Sequence, residues 1–422
     1  MSSLLTAFPR RLVRSTLPRS AGTTSGSTTI VIGGRRGDSF SFSSSSSSSS
    51  SSFGVVDLPR IVERRPNETG RGGRASDAGV KVCVFGATGF LGRYVCSGLG
   101  SNGVLTYIGS REDEFAYRHL RTMFELGRSK FQFYSSRDRQ SMADLISDAD
   151  IVINLVGKYY DTKALEDIPK FPYLNYKVST SIHEANVTVP RTIAELCKEM
   201  QVDNLIHVSS AAANPNSSSA WARAKYEGEM AVLDAYPWAT VVRPTQLFGH
   251  EDRLLNWFAN AAQRFPVVPL VDGGHALTQP VWVDDVARTI NRIVDDPERF
   301  EGRRVDCFGP QDYSYAELAK FVYDITGQEP TLSSIPSAVV KYGASILQYE
   351  GNPMLTPDMV DLMSEDYLPE MTAEGYAAQL QGGKVFTMEN LGVNATPIEK
   401  VAFKYLHRFR KGGHFILAGG YH

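Results

Sequence analysis

The stretch Val80–Gly92, VKVCVFGATGFLG, constrains the chain more than any other. Six nearly continuous apolar, β-favouring residues (Val80 to Phe85) read as a strand buried on both faces of a parallel sheet. Gly86, Gly89 and Gly92 follow with the spacing G-x-x-G-x-x-G. Beyond Gly89 the apolar residues Phe90, Leu91, Tyr94, Val95 and Leu99 fall at helical intervals. Strand, glycine turn and helix are the context in which such a motif binds a dinucleotide. The first glycine permits the sharp turn, the second clears the backbone for a pyrophosphate, and the third lets helix and strand pack closely. The free N–H groups at the helix start and the helix dipole then face the phosphates. A glycine-rich turn without a ligand is the competing reading.

The rest of the first 250 residues alternates strand and helix. Val104–Ile108, Phe131–Tyr134, Asp150–Leu155, Asn204–Ser209 and Ala239–Val242 read as strands. Met142–Ile146, Asn175–Asn186 and Thr192–Met200 read as helices. This alternation predicts an α/β fold, a Rossmann-type doubly wound parallel sheet. Arg111 lies just after the second strand, where an acid would bond the ribose 2′-hydroxyl of NAD and an arginine accommodates a 2′-phosphate. Arg111 therefore favours NADP(H); Glu112 and Asp113 keep NAD(H) open. The apolar end of the fourth strand, at Val156 and Gly157, is expected to border the adenine or its ribose.

Composition sets outer limits. The 422 residues, net charge −2 and 42% hydrophobic content are those of a globular chain. No run of 18 or more apolar residues is present, so no spanning helix is expected. Cys83, Cys96, Cys197 and Cys307 are scattered and read as thiols in a reducing compartment. The eight histidines show no paired metal-ligand spacing. Residues 1–53 carry six arginines, no lysine, one acid and an unbroken serine run from Ser43 to Ser52, the composition of a mitochondrial transit peptide. Residues 54–79 form a basic arm or linker. The body that remains is acidic, which argues against nucleic acid as a partner.

GATGFLG at 86–92, INLVG at 153–157, HVSS at 207–210, VVRPTQLFG at 241–249 and VWVDDVA at 281–287 together resemble the short-chain dehydrogenase/reductase superfamily, in its extended and atypical branch. With SSSAWARAKYEGE at 217–229 and LFGHEDRLLNWFA at 247–259, the chain is similar to one family within that branch. This is the family of nucleotide-binding accessory subunits, in the α subcomplex of mitochondrial respiratory complex I. The resemblance implies NADP(H) as a tightly held structural cofactor and other complex I subunits as partners. It also implies a place on the matrix side of the inner membrane, with peripheral lipid contact, near the junction of the matrix and membrane arms. Cofactor contacts are expected from Gly86, Ala87, Thr88, Gly89, Phe90, Leu91 and Gly92, and from Arg111, Val156, Ser209, Lys225 and Pro244. Active members carry Tyr-x-x-x-Lys on one helix, the tyrosine as general acid or base and the lysine on the nicotinamide ribose. Ser210 matches their serine and Lys225 their lysine, but the residue four before Lys225 is Trp221. An indole N–H exchanges no proton near neutral pH. Tyr226 points about 100° away round the helix. The resemblance thus implies a cofactor cradle with no catalytic residue and no metal. A soluble organellar NAD(P)-dependent reductase or epimerase is the alternative, with Tyr159, Tyr160 or His183 as the donor it would need.

The expected Rossmann domain spans 80–250 and a smaller mixed lobe 251–400, from which Val305–Phe308 returns to the sheet as a late strand. Asp284 or Asp285 is expected to cap a helix packed on the cofactor domain. Ser337–Tyr349 places Val339, Val340, Tyr342, Ile346 and Leu347 near one helix face, as core or as a membrane-interface helix. Residues 401–422 form a basic tail. Its helix, with Ala402, Phe403, Leu406 and Phe409 interleaved among the basic residues, is expected to dock on a partner or on acidic lipid.

Overall fold

The computed structural model describes residues 79–410 apart from 112, 162–179, 266, 330, 349–352, 354 and 370–384. The expected transit peptide, residues 54–78 of the arm, Glu112 and residues 411–422 of the tail lie outside the described residues. Six parallel strands alternate with helices from the glycine motif onward: β1 (Lys81–Phe85), β2 (Leu105–Ser110), β3 (Ser129–Phe133), β4 (Ile151–Asn154), β5 (Asn204–Val208) and β6 (Thr240–Pro244). The sheet has eight strands, in the order Val385–Thr387, Arg304–Cys307, β6, β5, β4, β1, β2, β3. All its pairings are parallel. Chain direction across the sheet reverses between β1 and β4, where open α/β sheets form a crevice at their carboxyl ends.

The strand pattern explains why both faces are covered. In β1, Val82 and Val84 enter one core with α1 (Phe90–Ser101), α2 (Glu114–Arg121) and α7 (Val283–Asp295). Cys83 and Phe85 enter the other, with α3 (Arg139–Ile146), α4 (Val189–Glu199) and α5 (Ala220–Ala235). β4 divides its residues the same way. The four cysteines are buried and free. A second lobe has its own core. There α6 (Leu255–Arg264), helices Tyr315–Thr326 and Ile398–Leu406, and the parallel strands Val267–Val271 and Thr331–Ile335 come together. No helix among the described residues is long and apolar enough to cross a membrane.

Several expectations change. Residues 175–179 of the expected helix Asn175–Asn186 lie outside the described residues. From Ile182 the chain runs on as one helical stretch, through a π turn at Glu184–Thr188 into α4. Pro190 lacks the N–H that the Asn186 carbonyl would take in an α-helix, and the wider turn accommodates this. Neither Asp284 nor Asp285 is the N-cap of α7; Trp282 is, with no side-chain bond. Asp284 pairs with Arg288 at 2.6 Å, and buried Asp285 accepts the Thr396 N–H at 2.7 Å. The helix Ser337–Leu347 forms but splits its apolar residues: Val340 and Ala344 are buried, whereas Val339, Tyr342 and Ile346 are 61, 75 and 65% exposed. Within the chain that face is not core. In the last helix Ala402 and Leu406 pack inward, as does Phe409 just beyond it, so its apolar side belongs to the second lobe and Phe403 alone of the four faces out. The eighth strand, Val385–Thr387, is too short to have shown a period in the sequence.

Candidate functional site

The glycine loop closes over the end of β1. Gly86 takes φ +84°, a conformation that suits glycine, and the backbone of Leu155 and Val156 lies about 3.0–3.1 Å from where its β-carbon would stand. Its carbonyl accepts the Gly89 N–H at 3.1 Å, and Gly89 is the N-cap of α1. α1 has no acidic residue in its first turn and no side-chain cap, which leaves its amino-terminal N–H groups for another acceptor. A β-carbon at Gly92 would stand 2.6 Å from the Ala87 carbonyl oxygen, so the helix meets its own turn backbone to backbone. Ala87 and Leu91 are buried; Thr88 and Phe90 are half-buried at the rim.

The other expected contacts gather at the same carboxyl edge. Arg111 is exposed directly after β2. It is close enough to depress the Lys158 ammonium, though burial is the larger cause of that shift. Val156 is buried after β4, its N–H held by the Asn154 side chain at 3.0 Å. The next turn is fixed by Asn186, a residue sequence reasoning passed over. Its amide donates to the Lys158 carbonyl at 2.9 Å and accepts the Lys158 N–H at 3.3 Å. Pro244 ends β6, and its carbonyl takes the Ala211 N–H at 2.9 Å.

Lys225 stands beneath this turn, buried, and donates to the Val208 carbonyl at 3.4 Å. Burial lowers its ammonium to about 8, against an opposing pull from Glu229 one turn on. Glu229 is itself engaged with Arg243 of β6 through bonds of 2.8–3.1 Å, an ion pair removed from water. His207 is held neutral: burial, then Lys225, lowers it to about 3. Beside these groups the Ser209 hydroxyl is buried with no hydrogen-bond partner among the described residues. A loop that a β-carbon would fill, an uncapped helix start and an orphaned buried hydroxyl together fit a dinucleotide. Arg111 and Lys158 lie near one another at this edge, and Lys225 lies beneath the Gly157 turn.

Trp221 is 2% exposed, stacked on Tyr159 at 4.6 Å, and its indole N–H has no partner among the described residues. Tyr159 lies in turn beneath Arg253, 5.9 Å from its ring centroid. His183 is exposed on the π-helical side, near Glu227. Ser210 meets the Tyr367 hydroxyl at 2.5 Å. Tyr367 comes from the second lobe, and nothing local in the sequence announces it.

Fold and cleft define an extended nucleotide-binding α/β protein of the short-chain dehydrogenase type. A model of the NAD dependent epimerase/dehydratase family matches residues 82–307, and the chain belongs to that family. Among curated proteins it is similar to the Mus musculus protein named NADH dehydrogenase (ubiquinone) 1 alpha subcomplex subunit 9, mitochondrial. Identity there is 34%, covering 81% of this chain and 83% of the relative. The Arabidopsis thaliana protein of the same name is 31% identical over 82% and 81%. A Neurospora crassa protein named NADH-ubiquinone oxidoreductase 40 kDa subunit, mitochondrial, is 29% identical over 86% and 88%. Solved structures confirm the fold. A Staphylococcus aureus nucleoside-diphosphate-sugar epimerase aligns with TM-score 0.52 at 14% identity, over 71% of this chain and 95% of its own. MoeE5 in complex with UDP-glucose and NAD aligns at 0.52 and 14%, over 78% and 99%.

Proposed function

We propose that this chain is a non-catalytic accessory subunit of mitochondrial complex I. In this reading it binds NADP(H) as a structural cofactor and supports assembly and stability near the junction of the two arms. It sits on the matrix side of the inner membrane beside other complex I subunits. One observation carries the non-catalytic reading: the position four before Lys225 holds an enclosed, stacked indole. Losing one essential group from a catalytic set removes orders of magnitude of rate. The cradle reading, in contrast, is supported by the glycine turn, the uncapped start of α1 and the buried Lys225. A ligand bound only to the folded state stabilises it by mass action without any turnover. The nucleotide would supply hydride chemistry where a proton donor faced it; here Arg111, Ser209 and Lys225 bind and orient it instead.

Gentle solubilisation of mitochondrial membranes followed by native electrophoresis tests the assignment. The chain is expected in a large respiratory assembly, and migration as a free monomer overturns it. Nucleotide released on denaturing the purified protein is expected to be NADP(H). Arg111→Asp is expected to weaken NADPH more than NADH; equal weakening removes the 2′-phosphate role.

One observation favours the second reading, a soluble organellar reductase: the Tyr367 phenol on Ser210. A Caulobacter vibrioides protein named ceramide reductase is 24% identical over 71% of this chain. Burial raises the Tyr367 phenol far above its ordinary value, which suits a fixed hydrogen bond better than a proton relay. NADPH oxidation by the full chain in the presence of long-chain carbonyl compounds would restore that reading.

A further inference from the structure

At the amino terminus of α5 a segment from far along the chain, around Asp358 and Glu365, bonds the first turn of the helix and the residues before it. The first N–H groups of a helix need acceptors, and Ser219 supplies one, taking the Ala222 N–H at 3.3 Å. The others come from far along the chain. Asp358 accepts the Ala220 N–H at 2.5 Å, the Trp221 N–H at 3.3 Å and the Ser219 hydroxyl at 3.0 Å. Seven residues on, Glu365 accepts the Ser218 N–H at 2.9 Å and the Ser217 and Ser218 hydroxyls at 2.6 Å each. The short helix Pro357–Ser364, with Asp358 in its first turn and Glu365 just past its end, is capped by Thr356. The segment continues to Tyr367, whose N–H donates to the Leu277 carbonyl at 2.7 Å and whose hydroxyl meets Ser210. Trp221, Ala222 and Tyr367 form one buried cluster, with Leu362 packed against it.

We infer that residues 356–367 are the standing occupant of the substrate side of the nucleotide cleft, and that their dock on the start of α5 and on Ser210, just past β5, holds the cradle in its binding geometry. The inference rests on the nucleotide reading above. Exclusion follows from the packing: a second ligand reaching Ser210 would have to displace Tyr367, and one reaching Trp221 would have to displace Tyr159. Positioning follows from the attachment points. Ser210 is the neighbour of Ser209, whose hydroxyl is orphaned. Asp358 grips α5 one turn before Lys225. Asp358, Glu365 and Tyr367 are therefore positioning residues for a ligand held at Ser209 and Lys225.

Hydrogen exchange and nucleotide titration on the full chain test this. NADPH is expected to slow amide exchange across 356–367. Adenosine 2′,5′-bisphosphate, which has no nicotinamide half to reach Ser209 and Lys225, is expected to leave that exchange unchanged. Tyr367→Phe keeps the ring and Asp358→Asn keeps the size, so both folds should survive. Each is expected to weaken NADPH about tenfold, within the usual range of coupling between sites. A purely structural segment would lower thermal stability in these variants and leave NADPH affinity in place. If wild-type protein binds neither NADPH nor NADH, the nucleotide reading itself falls. If it binds NADPH and both variants match its affinity, or if the bisphosphate protects the segment as well as NADPH does, this inference alone is overturned.

Discussion

A β-carbon at Gly92 would stand 2.6 Å from a backbone carbonyl oxygen, whereas one at Gly89 would stand 3.2 Å from the Gly86 carbonyl. Gly89 also has an ordinary φ of −71°. The two glycines therefore separate folding from binding. Gly92→Ala must push α1 off its turn, and overpacking of this kind costs about 1–3 kcal/mol. Gly89→Ala needs a shift of only tenths of an ångström but places a methyl group where a pyrophosphate would approach. The expected outcome is a lowered midpoint of unfolding for Gly92→Ala, and for Gly89→Ala a near-normal midpoint with lost nucleotide; equal loss of stability in both would contradict it. Lys225 gives a pH signature. In the fold its ammonium titrates near 8, in the unfolded chain near its ordinary 10.5. Between those values the unfolded chain holds more protons, so stability rises with pH, by at most about 1.4 kcal/mol per unit. Lys225→Met should flatten the rise in denaturant midpoints between pH 8 and pH 10. A bound dinucleotide would favour the charged ammonium, so NADPH binding at pH 8 should take up a proton. Titration calorimetry in buffers of different ionisation enthalpy reads this directly.

α5 is tied into the molecule by charge at both ends of its buried face. Asp358 sits at its amino terminus, and Glu229 grips Arg243 on β6. Glu229→Ala would take a carboxylate from a buried guanidinium, and breaking a buried ion pair costs up to about 3–5 kcal/mol. Pairing it with Arg243→Met should recover part of that loss, and urea midpoints for the two single variants and the double variant check it. No recovery at all would mean that Glu229 acts mainly through a group other than Arg243. Elements of this kind also show where the sequence was readable. β1, the glycine turn and α1 follow from their own residues, because period and backbone freedom are local properties. Asn186, Asp358 and Tyr367 were not readable: each acts on residues 28 to 157 positions away, through bonds that only the folded chain creates. Val385–Thr387 was hidden for another reason: three residues cannot display a period, and its pairing with Arg304–Cys307 places it in the sheet.

For the whole molecule, the site lies where two separately cored parts of one chain touch the same helix. A nucleotide in the cleft would be bound by the first part and kept in place through the second, so its binding energy stabilises both. At a thousand times its dissociation constant, a ligand specific for the folded state adds about 4 kcal/mol. At about 2.1 cal/mol/K of unfolding entropy per residue, a body of more than 300 residues gains about 1.5 °C for each kcal/mol. Saturating NADPH should therefore raise the thermal midpoint of nucleotide-stripped protein by about 6 °C, and NADH by less. Arg111 is exposed, so any attraction it exerted on a 2′-phosphate would act through water and be screened over a Debye length of about 8 Å at physiological ionic strength. The gap between NADPH and NADH should consequently narrow as salt rises from about 0.05 to 0.5 M. The stabilisation common to both should hardly change, since the glycine loop and α1 offer backbone N–H groups at close range. Thermal shift measured with both nucleotides across that salt series tests the two contributions at once. A gap that persists undiminished at high salt would place the 2′-phosphate on a buried partner other than Arg111.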